Sequence, residues 1–94
     1  MSKTIYIAGK ISGQNEKQVR EKFERAASEL QGEGNVILSR VNNKADNWKN
    51  TVRNSIKAML DCDEIHLLPG WQESRGAQLE RDIALRLGMN IVYR

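Results

Sequence analysis

Short apolar runs alternate along the chain with longer stretches of helical periodicity. Thr4-Ile5-Tyr6-Ile7-Ala8 is a β-rich apolar run that ends at Gly9, which predicts a buried first strand. From about Asn15 to Gln31, Val19, Phe23, Ala26, Ala27 and Leu30 recur at helical spacing, with Gly32 and Gly34 as the stop. Val36-Ile37-Leu38 predicts a second strand, and Ser39 to Asn47 a polar loop. Asp46 is the expected N-cap of a second helix that carries Trp48, Val52, Ile56, Met59 and Leu60 inward. Glu64 to Leu68 predicts a third strand, halted at Pro69-Gly70. A third helix from about Arg75 to Leu87 stops at Gly88 and delivers a last strand, Asn90 to Tyr93.

The order β-α-β-α-β-α-β with short apolar strands is the pattern of a parallel sheet covered on both faces. Right-handed crossovers then give a small α/β, doubly wound (flavodoxin/Rossmann-like) three-layer sandwich, with a four-stranded parallel sheet in the order 2-1-3-4. Ligands of such sheets bind beyond the carboxyl ends of the strands, where strand order reverses. In this chain that edge comprises 9–13, 39–47 and 69–76. No repeat, low-complexity tract or linker divides the sequence, so residues 1–94 are expected to form a single domain.

At 94 residues, such a domain buries only roughly 60–65% of its unfolded surface, so association into a dimer or larger oligomer is expected. The net charge of +3 invites a nucleic-acid reading, but the Lys and Arg residues are scattered among acids with no basic run. That balance suits an anionic small ligand better than DNA or RNA. A single Cys62 cannot form an intrachain disulfide, and neither a signal peptide nor a membrane-length apolar stretch appears. The expected compartment is therefore the cytoplasm, with no membrane partner. One Cys and one His, unclustered, offer no metal site. His66, inside the run Ile65–Leu68, reads as a packed strand residue.

Projection of the third helix at about 100° per residue places Gly76, Ile83, Ala84 and Leu87 on one face, with Glu80 in the middle. A carboxylate on a core-facing stripe is costly unless paired, hydrogen-bonded or protonated. Glu80 is thus either a structural acid or a functional one facing the cleft. In the turn Gly9–Gly13, backbone N–H groups and the Ser12 hydroxyl are candidates to meet a phosphate, although a plain strand-to-helix turn fits equally. The turn matches neither G-x-G-x-x-G nor the P-loop. In 69–76, Trp71 suits a stack on a base or a cap on the core. Ser74 suits an N-cap or a phosphate or sugar contact, and Arg75 an anion clamp or a solvated charge. Trp48, at helical spacing with Val52, reads as core.

Tyr6-Ile7-Ala8-Gly9, Cys62-Asp63, Leu68-Pro69-Gly70-Trp71 and Ser74-Arg75-Gly76-Ala77-Gln78-Leu79-Glu80 together resemble the nucleoside 2-deoxyribosyltransferase-like superfamily, in particular its short bacterial and phage branch. The resemblance runs over essentially the whole chain. It implies that Glu80 is a nucleophile toward C1′ of a deoxyribose and that Tyr6 orients it. It also implies that Ser74, six residues before Glu80, meets a 5′-phosphate, and that Gly9, Ser12 and Gly13 hold sugar or phosphate. Trp71, Arg75 and Gly76, from the loop before the third helix and its start, are the further candidate substrate contacts. Ser55 stands where many relatives place a base-contacting aspartate, and Lys10 where the short relatives commonly have proline. No functional account attaches to Lys10.

The expected activity is cleavage or transfer of the N-glycosidic bond of a deoxynucleoside or its 5′-monophosphate, with no cofactor and no metal. The alternative is a non-catalytic module that senses or sequesters a nucleotide on the same cleft, a reading favoured by Ser55 and by the small size. An interaction domain without a ligand has no positive feature in the sequence.

Overall fold

The computed structural model describes residues 3–10, 15–33, 35–39 and 46–94. Ser12, Gly13, Gly34 and most of the polar loop before the second helix lie outside the described residues. The elements are β1 (Thr4–Ala8), α1 (Glu16–Gln31), β2 (Val36–Ser39), α2 (Trp48–Leu60), β3 (Glu64–Leu67), α3 (Arg75–Leu87) and β4 (Asn90–Tyr93). A 3-10 turn over Trp71–Glu73 leads into α3.

The strands run parallel in the order β2-β1-β3-β4. Ile5 pairs with Glu64 and Ile7 with His66 across β1 and β3, while Tyr6 pairs with Ile65. Alternation along β1 then sorts the core into two clusters. Ile5 and Ile7 pack with Val19, Phe23, Ala26 and Leu30 of α1. Tyr6 and Ala8 pack with Met59 of α2 and with Ala77 and Ala84 of α3. One strand thus carries cores on both of its faces, which explains its unbroken apolar sequence.

Helix limits follow from local chemistry. The Asn15 side chain accepts from the Lys17 and Gln18 amides at the start of α1. At its end, the Asn35 side-chain amide donates to the Leu30 carbonyl at 3.0 Å. For α2 the N-cap is Asn47, which accepts from the Asn50 amide at 2.8 Å, and not the expected Asp46. Asp46 instead accepts from the Asn50 side chain at 3.0 Å. Both side chains are competent caps, and only the residue directly before the first helical turn reaches its amides.

Gly88 ends α3 with φ +75°. The Met89 amide donates to Ala84 at 2.9 Å and the Gly88 amide to Leu85 at 3.2 Å, a Schellman closure that needs a left-handed residue. Leu68 to Trp71 form a type II turn with Pro69 second and Gly70 third. Gly70 has φ +92°, and the Trp71 amide donates to the Leu68 carbonyl at 3.2 Å.

Three expected core residues lie toward solvent. Trp48 is 39% exposed, Leu60 51% and Leu87 60%. Trp48 and Leu87 occupy helix ends, where a side chain at the right angle still overshoots the sheet, and Leu60 lies about 100° off the buried Val52–Ser55–Met59 stripe. The buried stripe of α3 is Gly76, Ala77, Glu80 and Ala84, with Ile83 partly buried at its edge.

Candidate functional site

In this parallel topology, α2 and α3 both begin at the carboxyl edge of the sheet, on the same face. β1 and β3 are adjacent, yet β1 leads to α1 on one face and β3 to α3 on the other, so the crevice lies between them. Tyr6 of β1 and Glu80 of α3 meet in the core on the α2–α3 face of the sheet.

Both are fully buried at 0% exposure, and the Tyr6 hydroxyl donates to Glu80 Oε2 at 2.5 Å. Glu80 stands in the second turn of α3 among Gly76, Ala77 and Ala84, which leave its side chain room to reach the strand. A hydrogen bond to a carboxylate is among the stronger kinds, and it offsets part of the cost of burying that charge. The pair holds one acid in a fixed, buried position beneath the carboxyl edge of the sheet, an arrangement compatible with nucleophilic or acid–base work.

Ser74 is buried and caps α3, accepting from the Ala77 amide at 3.1 Å. Its lone pair serves the helix, and its hydroxyl proton remains available as a donor. Gly76 is buried on the α3 face that carries Glu80. Gly9 lies where a Cβ would stand 3.2 Å from Leu68 Cβ and 3.4 Å from the Phe23 ring, so a side chain there would push the turn off the core. Ser55 is fully buried on the inner face of α2, and its hydroxyl donates to the Thr51 carbonyl at 2.9 Å. Ser12 and Gly13 fall outside the described residues.

The two tryptophans are placed differently. Trp71 is half-buried against the cluster that contains Tyr6, with its ring 5.7 Å from Tyr93 and the Arg81 guanidinium 5.6 Å above it. Arg81 Nε also donates to the Tyr93 hydroxyl at 3.2 Å. Trp48, the first residue of α2, faces the first residue of α3, with the Arg75 guanidinium 4.0 Å from its ring centroid. This stack was not legible from periodicity, because Trp48 shares its helical angle with inward residues. Its position at the helix start was the available signal.

Lys10 pairs with Glu73 at 3.0 Å, joining the turn after β1 to the segment before α3. Lys22 donates to the Lys10 carbonyl at 3.4 Å, and partial burial, then the nearby Lys10 charge, lower its pKa. At the other end of the sheet, Asp63 accepts from the Thr4 amide at 2.9 Å, while its own amide donates to the Thr4 carbonyl at 2.7 Å. The Cys62-Asp63 pair therefore fastens β3 to β1 far from the crevice. Burial, then Asp61 and Asp63, push the Cys62 thiol up to about 11. Among the described residues, no group of three or more His, Cys, Asp or Glu side chains is placed to hold a metal. Nor is any described helix long and apolar enough to cross a membrane.

A second polar cluster lies on the α1-side face of β3. Glu64 and His66, both buried, meet at 2.7 Å, and Lys3 and Asn90 reach the other Glu64 oxygen at 3.3 and 2.9 Å. Arg94 lies 3.4 Å from His66 Nδ1 and 2.6 Å from Glu29. His66 is the packed strand residue that its apolar surroundings suggested.

No curated protein matches the chain. The family model described as "Domain of unknown function (DUF4406)" matches residues 3–93, and the chain, with the Tyr6–Glu80 pair inside that span, belongs to this family.

Proposed function

We propose that the protein cleaves or transfers the N-glycosidic bond of a deoxynucleoside or deoxynucleoside 5′-monophosphate, with Glu80 as nucleophile and Tyr6 as its orienting partner. The observation that carries this reading is the 2.5 Å bond between the two buried side chains, in the middle of β1 and on the half of α3 nearer the carboxyl edge of the sheet. The two core clusters on opposite faces of β1 support a doubly wound, flavodoxin/Rossmann-like three-layer sandwich, in which that edge is the ligand edge.

In the proposed reaction a Glu80 oxygen forms a bond to C1′ while the C1′–N bond breaks, and the bonding pair leaves with the base, which takes up a proton. Water or a second base then attacks C1′ and releases Glu80, with net retention at C1′. Tyr6 holds Oε2 in place and so fixes the carboxylate for attack. Ser74 and Arg75, at the start of α3, are the proposed sugar or phosphate contacts, with Ser12 after β1.

Ser55 favours a second reading. Its hydroxyl is committed to the α2 backbone and it supplies no acid for the leaving base, which suits a module that binds a nucleotide without cleaving it. Self-association is part of either proposal, supported by exposed Leu60, Leu79, Leu85 and Leu87.

The test is to incubate the protein with a panel of nucleosides and 5′-nucleotides and follow free base by chromatography, with Glu80→Ala beside it. Base release that disappears in Glu80→Ala supports the nucleophile. Base release that survives the substitution sinks it, and binding without release favours the second reading.

A further inference from the structure

The Arg75–Trp48 stack is the contact across the mouths of α2 and α3 that the Tyr6–Glu80 pair does not explain. Resting on the nucleotide reading above, we propose that the indole face of Trp48 under Arg75 is the platform for the nucleobase, with Arg75 as its occupant when no ligand is bound.

Three observations converge on this. Trp48 is 39% exposed although its spacing marks it as core, so a large aromatic surface is kept at the rim of the crevice. The Arg75 guanidinium carbon lies over its ring at 4.0 Å from the centroid, close to the distance at which a planar base stacks on an aromatic face. Among the described residues Arg75 makes no ion pair, and its recorded contact is the Trp48 ring. A guanidinium so held is readily exchanged for a base, and once displaced it has its five donors free for the sugar or phosphate of the same ligand.

Glu80 lies five residues after Arg75 on α3, about 7.5 Å along the helix axis and about 140° around it. A base on Trp48 would sit at the starts of α2 and α3, the helices that pack on the Tyr6 face of the sheet. Trp71, by contrast, is engaged on the β4 side of α3 by Tyr93 and Arg81. Ser55 offers no acid to recognise the base edge, and a stacking platform recognises the ring face instead. Broad tolerance of the base follows, because every nucleobase has such a face.

The experiment titrates the intact protein with deoxyadenosine, deoxythymidine and their 5′-monophosphates, using deoxyribose 5-phosphate as the ligand without a base. Binding is read by calorimetry and by tryptophan emission. The expected result is saturable quenching by the nucleosides and nucleotides and none by the sugar phosphate. Trp48→Phe should retain most of the affinity and lose the quenching, since Trp71 alone then reports. Trp48→Ala should weaken binding roughly five- to a hundredfold, the usual range for losing one base stack. Arg75→Ala, which removes the donors for sugar and phosphate, should weaken the 5′-monophosphates more than the uncharged nucleosides. Base-bearing ligands that bind, or are cleaved, with unchanged emission and unchanged affinity in Trp48→Ala overturn the platform and leave the Glu80 reaction standing. Quenching without base release supports the platform and removes the reaction. A parent protein that binds none of the panel overturns both.

Discussion

Tyr6 and Glu80 are 74 positions apart in the chain and 2.5 Å apart in the fold, each at 0% exposure. Tyr6 arrives on β1 and Glu80 on α3, the element farthest along the chain on that face of the sheet. Their bond therefore closes only when β3 has docked beside β1 and α3 has folded back over them. A buried acid held this way serves either stability or chemistry, and the two roles separate by substitution.

Tyr6→Phe removes the donor and leaves the Glu80 carboxylate short of one hydrogen bond. The expected loss is about 1–3 kcal/mol of unfolding free energy by urea denaturation. Glu80→Gln keeps an oxygen for the Tyr6 hydroxyl and removes the buried charge, so its stability should stay within about 1 kcal/mol of the parent. If Glu80 is the nucleophile, the same variant should lose base release by roughly a thousandfold or more. A Gln variant that unfolds easily and still releases base would assign the pair to structure alone.

Much of this arrangement was legible in the sequence. Strand and helix differ in apolar period, so the alternating elements and the parallel α/β class could be read from β1 to β4. Glu80 stood out as a carboxylate inside a buried stripe, and that stripe is where it lies. Its partner was not legible from spacing, since no local pattern links residues on distant elements, and Tyr6 was reached only through resemblance. Helix ends were the weak point. Trp48 and Leu87 have inward helical angles, but projection carries no information on height along the helix axis, and both overshoot the sheet, while Leu60 lies about 100° off the buried stripe of α2. Asp46 and Asn47 are equally good caps by type, and one residue of register decided between them.

Cys62 is buried, donates to the Ala58 carbonyl at 3.3 Å and has its thiol pushed up to about 11. At pH 8, three units lower, roughly one thiol in a thousand is ionised, and it is the thiolate that reacts. Alkylation of the native protein by iodoacetamide at pH 8 should be at least a hundredfold slower than in urea-unfolded protein. Comparable rates would place the thiol in an accessible, electropositive setting that the fold does not provide.

Gly88→Ala tests the end of α3. The position has φ +75°, and a Cβ there would meet nothing within 4 Å, so the cost is backbone strain without a clash. The expected destabilisation is about 1–2 kcal/mol by urea denaturation, with the site geometry intact because Glu80 lies two turns away. Gly9→Ala is the contrasting case. There the added methyl meets Leu68 and Phe23, and both stability and base release should fall.

The cluster around Glu64 predicts how the fold responds to acid. The hydrogen bond with His66 is the main cause that lowers the Glu64 pKa below its ordinary 4.5. Burial works against it, while Asn90 and Lys3 add to it. A carboxyl whose folded pKa is depressed binds its proton more readily when unfolded, so its contribution to stability is present above about 4.5 and is lost as pH falls through the lower folded value. Urea midpoints measured from pH 6 down to pH 3 should therefore decline for the parent, and Glu64→Gln should flatten the part of that decline below about 4.5. The variant should also be less stable at pH 6, because Lys3 loses its carboxylate and His66 its anionic partner. An acid limb of equal slope in parent and variant would show that other carboxylates carry the acid response.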